Sequence, residues 1–369
     1  MHTNLTFLKK LRLAPILLVS FWATTATAQV DTAAVEEDYS KYDNLQVSDG
    51  KAVKRYCTQK VFGQSPARLI SIGYDVMGGF TGKFDVDKEG NAVETEKVSL
   101  SNGLRLEANF PVVSKNSIIW NVGAGYNDHK YNFADKGEGL TTALPKTLGA
   151  NALRNLSVST TLFKPLDEKN FILAQALAEY AGDWSFDGLM PASGTKLSGI
   201  ALYGRKPSDR KMWGVGVTRT YRAGEVNYLP VVLFNYSAPS LKWGVEILAP
   251  ARADFRYSFT AQNILRAGVE LEGTSFRLNN KDGAYTNTAL SNIELRRSEL
   301  KLRGIWDVSI KGFYWLSVSA GYRTFYRFNT DSGTEVYRGF GLVNKASYLA
   351  ENKLSGSPFV SVSINLVSP

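Results

Sequence analysis

The chain has 369 residues, a formal charge of +9, one cysteine (Cys57) and two histidines. One cysteine excludes an intrachain disulfide, and the scarcity of Cys and His excludes the usual structural metal sites. The basic residues are scattered rather than clustered, which excludes a nucleic-acid footprint. No Gly-rich phosphate loop follows a strand and opens a helix, so no nucleotide cofactor is expected, and none of another kind.

Residues 1–28 read as a cleaved secretory signal peptide: Lys9, Lys10 and Arg12, the uncharged run Leu13–Trp22, then small residues ending Ala26-Thr27-Ala28. A membrane-spanning helix needs about 20 apolar residues, and this run is too short. Cleavage removes three of the 43 Lys and Arg and none of the 34 acids, leaving +6. Residues 29–64 are polar and aperiodic and are expected to form a loose periplasmic leader.

From 65 onward the apolar residues recur with period two, as in strands with one apolar face. Val98, Leu100, Leu104, Leu106, Ala108 and Phe110 alternate with Ser99, Ser101, Arg105, Glu107 and Asn109. Ile118, Trp120, Val122, Ala124 and Tyr126 continue the pattern after a turn. Further strands are expected near 153–163, 171–180, 196–205, 212–221, 229–236, 242–248, 253–259, 264–272, 291–308, 313–328 and 358–366. The segment 171–180 is helical by propensity, but it completes a hairpin and is assigned as a strand. With a first strand near 70–76 the total is about 14. Twelve stays open because 242–248 and 253–259 are short and only 249–252 joins them.

Short connections (111–116, 164–170, 206–211, 237–241) alternate with long ones (80–96, 131–152, 181–195, 273–290, 329–357). That alternation predicts an all-β fold, a transmembrane antiparallel up-and-down β-barrel of about 12–14 strands over 65–369, with the short turns periplasmic. Three of the turns carry Pro and, four residues on, Lys: Pro111/Lys115, Pro165/Lys169 and Pro207/Lys211. Phe110, Trp120, Phe163, Trp213, Trp243, Phe313, Tyr314 and Trp315 are expected in interfacial girdles.

The first strand, Ser65-Pro66-Ala67-Arg68-Leu69-Ile70-Ser71-Ile72-Gly73-Tyr74, and the Pro-turn hairpins resemble uncharacterised outer-membrane β-barrel families of Bacteroidetes-type Gram-negative bacteria. Ser357–Leu366 resembles a closing strand read by barrel-assembly machinery, with Leu366 where such strands usually finish on an aromatic. The resemblance implies outer-membrane lipid and that machinery as partners. It implies no activity.

Candidate functional residues are the polar ones on the inward face. With Leu265, Val269, Leu300, Leu302 and Trp306 toward lipid, Arg266, Glu270, Glu272, Glu299, Lys301, Arg303, Asp307 and Arg323 line the lumen, and Arg327 with them. Charge on the lipid face costs about 2–4 kcal/mol at mid-membrane, so this segregation is required. A porin-like passage for small solutes is the leading expectation, with a slight anion preference from the basic excess. A non-conducting structural or surface-binding barrel is the alternative. A lipid hydrolase would have to use His129, expected here as a solvated loop residue, and no enzyme is expected.

Overall fold

A computed structural model describes residues 55–85, 93–135, 143–185, 194–279, 292–333, 338–339 and 348–368. The expected signal peptide, 1–28, and most of the expected leader, 29–64, lie outside the described residues. In chain order the elements are β1 (Arg68–Met77), β2 (Phe80–Asp85), β3 (Val93–Lys115), β4 (Ile118–Phe133), α1 (Ala143–Ala150), β5 (Leu153–Pro165), β6 (Asn170–Gly182) and β7 (Thr195–Ser208). Then come β8 (Lys211–Thr220), β9 (Asn227–Ser237), β10 (Trp243–Ala249), β11 (Arg252–Thr260), β12 (Asn263–Asn279), β13 (Asn292–Lys311) and β14 (Tyr314–Asp331). Three short pieces, β15 (Arg338–Gly339), β16 (Ala350–Glu351) and β17 (Lys353–Leu354), precede β18 (Ser357–Val367).

Fourteen of these strands close an antiparallel barrel: β1, β3 to β14, and β18. β18 completes it by pairing with β14 on one side and β1 on the other, for example Val318↔Val362 and Tyr74↔Val362. The expected strand 171–180 is β6, where pairing on both edges overrides helix propensity. The short connection at 249–252 is a real turn, so β10 and β11 are two strands and the count is 14 rather than 12.

Side chains sort by parity. Ile72, Leu104, Leu106, Trp120, Val215, Leu302 and Val362 are exposed on the outside, while Arg105 and Glu107 face inward. A closed barrel with an apolar exterior and a polar interior is the membrane-spanning kind, because its exterior has no other favourable solvent. Phe163 and Trp315 depart from the expected girdle: both point inward and are buried.

The Pro–Lys pattern brackets a turn at Pro165/Lys169 and at Pro207/Lys211 but not at Pro111/Lys115. β3 runs on through Pro111 to Lys115, and β7 reaches Ser208 beyond Pro207. Proline cannot donate to the ladder, and the register slips at both places, between Pro111 and Val113 and between Arg205 and Ser208. The connection at 80–96 is likewise not all loop, since β2 pairs with the start of β3.

Above the barrel the wall narrows. β6 meets β12 at Gly182↔Arg277, and the Asp183 carboxylate accepts from the Asn279 N–H at 3.0 Å. β16 pairs with β14, and β17 with β2. The upper parts of β2 to β6 and β12 to β14 thereby form a smaller collar. Its interior is an apolar cluster including Phe84, Tyr131, Phe133, Phe276 and Phe328. Helix α1 contributes Leu144 and Leu148 to it.

Candidate functional site

The opposite, short-turn end is crossed by residues 55–67, which are fastened rather than loose. The Cys57 N–H donates to Asp167 O at 3.1 Å, and Phe62 N–H to Asp209 O at 2.8 Å. Ser65 gives both its N–H and its hydroxyl to Glu246 Oε1, each at 2.9 Å. Cys57 and Val61 are buried with Phe163, Phe171, Leu202, Met212 and Val231 in an apolar floor. This strap also shares its rim with the end of β18, where Ser368 N–H donates to Ala67 O.

Between floor and collar lies a chamber of about 610 Å³. Arg266, Glu270, Glu299, Lys301, Arg303 and Arg323 line it, as does Glu272. Asp307 is not on its surface. It is buried behind Arg266, which it meets at 2.7 Å, and also accepts from Arg68 at 3.1 Å.

Charges on adjacent strands pair across the ladder. Lys301 on β13 meets Glu272 on β12, its diagonal neighbour, since Lys301 is directly opposite Glu270. Arg303 reaches both Glu270 and Asp254, the latter at 3.1 Å. Arg323 meets Glu299 at 2.9 Å, and Arg297 meets the same carboxylate. Across the closing seam Arg105 lies 3.4 Å from Asp75 and donates to Ser361 at 3.1 Å. Asp75, Arg105, Arg297, Asp254 and Glu246 were not singled out as lumen residues from sequence. Their alternation with exposed apolar neighbours was the available signal. Among the described lining residues ten basic groups face seven carboxylates, so a positive excess survives the pairing. Asp254 and Asp307, directly behind, reduce it further.

Two expectations are corrected here. Arg327 does not face the lumen. A register shift between Ser298 and Glu299 leaves Tyr326 bulged outward and turns Arg327 to the outer face of the collar. There it donates to Ala223 O at 2.8 Å and meets Glu225 at 3.0 Å. His129 is not a solvated loop residue. It sits in β4, buried, on the chamber wall, and among the described residues its Nδ1 has no hydrogen-bond partner.

The fold and chamber together define a membrane-spanning β-barrel with a charge-lined lumen between two apolar clusters. No known protein family matches the chain, and no curated relative does. Among solved structures it is similar to an outer membrane channel from Pseudomonas putida F1, at 9% identity and TM-score 0.36, over 83% of this chain and 97% of that one. It is also similar to the P. putida toluene transporter TodX, at 10% identity and TM-score 0.31, over 85% and 95%. A Pseudomonas aeruginosa FadL homologue gives 10% and 0.34, over 82% and 90%. At such similarity, function has to be read from this chain's own interior.

Proposed function

We propose that this chain is an outer-membrane barrel that passes small polar solutes through its lumen, in a resting state closed at floor and collar. The signal-peptide pattern expected over residues 1–28 and the resemblance of the first and closing strands to Bacteroidetes-type barrels support that location. The single observation that carries passage is the chamber. A barrel of purely structural role fills its interior with packed side chains, whereas here about 610 Å³ lined by charged groups lies between two apolar seals. The floor is the simpler seal to displace, because the strap is a single segment held by a few hydrogen bonds and by Cys57 and Val61.

The seals themselves favour the second reading, a barrel that does not conduct. Planar-bilayer recording separates the two. Wild type is expected to open rarely, and Val61→Asp, which places a carboxylate in the floor, is expected to open far more often. Silence from both proteins, with the variant folded by heat-shifted gel migration, would leave a structural barrel.

A further inference from the structure

The outer face of the barrel carries its own charge pattern at the end away from the short turns. On β3 and β4 the exposed apolar residues begin at Phe110 and Trp120 and give way to polar ones at Asn102 and Asp128. Tyr74 and Tyr126 mark that level. Asn102 Nδ2 donates to the Tyr74 hydroxyl at 2.5 Å, and the Tyr126 hydroxyl donates to Asp128 Oδ2 at 3.0 Å. A tyrosine with its ring in the apolar band and its hydroxyl bonded belongs at a membrane–water interface.

Above this level stand lysines. Lys130 follows Trp120 by ten residues on the same face of β4, and Lys97 precedes Phe110 by thirteen on β3. The register shift between Val98 and Leu100 keeps Lys97 on the outer face, with Val98 buried inside. At about 3.4 Å per residue and a tilt of about 40° these spans rise roughly 26 Å and 34 Å. Lys130 therefore sits at the upper edge of the ~25 Å apolar band, and Lys97 stands beyond it.

Lys97 has like-charged neighbours. β2 carries Lys83 on its outer face, since Phe80 and Phe84 are the buried residues of that strand. Lys97 is opposite Thr81 and Lys83 opposite Thr95, which makes the two lysines diagonal neighbours. On its other edge Lys83 is directly opposite Lys353 of β17. All three are exposed, as is Lys130, and none of the four makes an ion pair among the described residues. Like charges directly opposite in a ladder destabilise the pairing. The outward carboxylates of these strands, Asp85 and Glu351, lie one row further up, and Asp85 Oδ2 accepts from the Glu351 N–H at 2.9 Å. Three ammonium groups thus converge at head-group height with no protein anion in contact. An external anion would relieve that repulsion.

We propose that Lys83, Lys97 and Lys353, with Lys130 below them, bind the phosphate groups of a phosphorylated glycolipid in the outer leaflet. This rests on the outer-membrane location read above, with the short turns periplasmic, and is independent of passage through the lumen. Each ammonium is a compact charge on a flexible stem, able to follow phosphates at more than one height. A free phosphate offers one group, whereas a glycolipid with several phosphates engages several lysines at once. Its acyl chains would lie along Leu100, Leu104 and Leu106, exposed on β3 just below.

The test titrates the whole protein in detergent with purified lipopolysaccharide, with the same material after removal of its phosphates, and with phosphatidylglycerol. Wild type is expected to bind lipopolysaccharide at least tenfold more tightly than either of the others. Lys83→Glu/Lys97→Glu should weaken that binding at least tenfold, with a larger loss at low salt than at high. Lys164→Glu/Lys211→Glu, which reverses charge at the short-turn end, should leave it unchanged. Binding indifferent to Lys83→Glu/Lys97→Glu, or to removal of the phosphates, would overturn the proposal. Equally tight and equally sensitive binding of phosphatidylglycerol would assign the patch to anionic phospholipid and overturn it as well. Density fractionation of cells separates site from location. Recovery of the chain with the inner membrane would refute the location, whereas outer-membrane recovery without lipopolysaccharide binding would refute the site alone. Should the double variant fail to fold, by heat-shifted gel migration, Lys97→Gln carries the same comparison.

Discussion

Arg68, the residue that opens the barrel, donates to Asp307 at 3.1 Å across 239 positions of sequence. Asp307 simultaneously receives Arg266 from the neighbouring strand at 2.7 Å and accepts the Ser317 hydroxyl. One carboxylate therefore ties the start of the chain's first strand to β12, β13 and β14 beside the closing seam. Removing it strands two guanidinium groups, one of them buried. Asp307→Asn is expected to cost about 3–5 kcal/mol. Ser317→Ala, which removes a neutral donor to Asp307 and an acceptor for Arg68 and Asn365, should cost less, about 1–2 kcal/mol. Urea unfolding in detergent, followed by intrinsic tryptophan fluorescence, measures both. Equal losses would show that Asp307 is not the shared anchor.

Cys57 gives a direct report on the strap. Its thiol is buried, donates to Asn170 O at 3.6 Å, and is pushed up in pKa chiefly by burial. A raised thiol pKa leaves less thiolate near neutral pH, so alkylation by iodoacetamide should be slow in wild type. Val61→Asp should accelerate it tenfold or more by unseating the strap. Fast alkylation of wild type would mean that residues 55–67 do not occupy the floor in solution.

Acid should loosen the same end. The Asp167 carboxylate accepts from Asn170 Nδ2 at 2.7 Å and from the N–H groups of Lys169 and Asn170 at 2.8 Å each. These bonds hold its pKa below the usual carboxylate range. The stabilisation is therefore present above the ordinary carboxylate pKa of about 4 and is lost as pH falls through the depressed folded value. Amide exchange at Lys169 and Asn170 is expected to be protected at pH 6 and unprotected well below pH 4. Asp167→Asn should remove the pH dependence, and a turn that stays protected in strong acid would contradict the assignment.

The alternation of Leu104, Leu106, Leu300 and Leu302 with Arg105, Glu107, Lys301 and Arg303 determined by itself that this chain forms spanning strands with charge inside. In a strand, parity fixes which face a side chain takes, and lipid makes the choice of face obligatory. About 12–14 strands and the short-turn end were legible for the same reason, and the pairing of β10 with β11 across 249–252 decided for 14. Sequence could not show that Phe163 and Trp315 point inward, since an aromatic suits a girdle or a seal equally well. Nor could it show where parity breaks. The bulge at Tyr326 reverses Arg327, and no local composition marks it. The collar, the strap across the floor, the burial of His129 and the sharing of Asp307 by Arg68 and Arg266 all join residues from distant strands. Only closing the barrel brings those groups within bonding distance, because period-two patterning specifies a face and says nothing about what stands across the lumen.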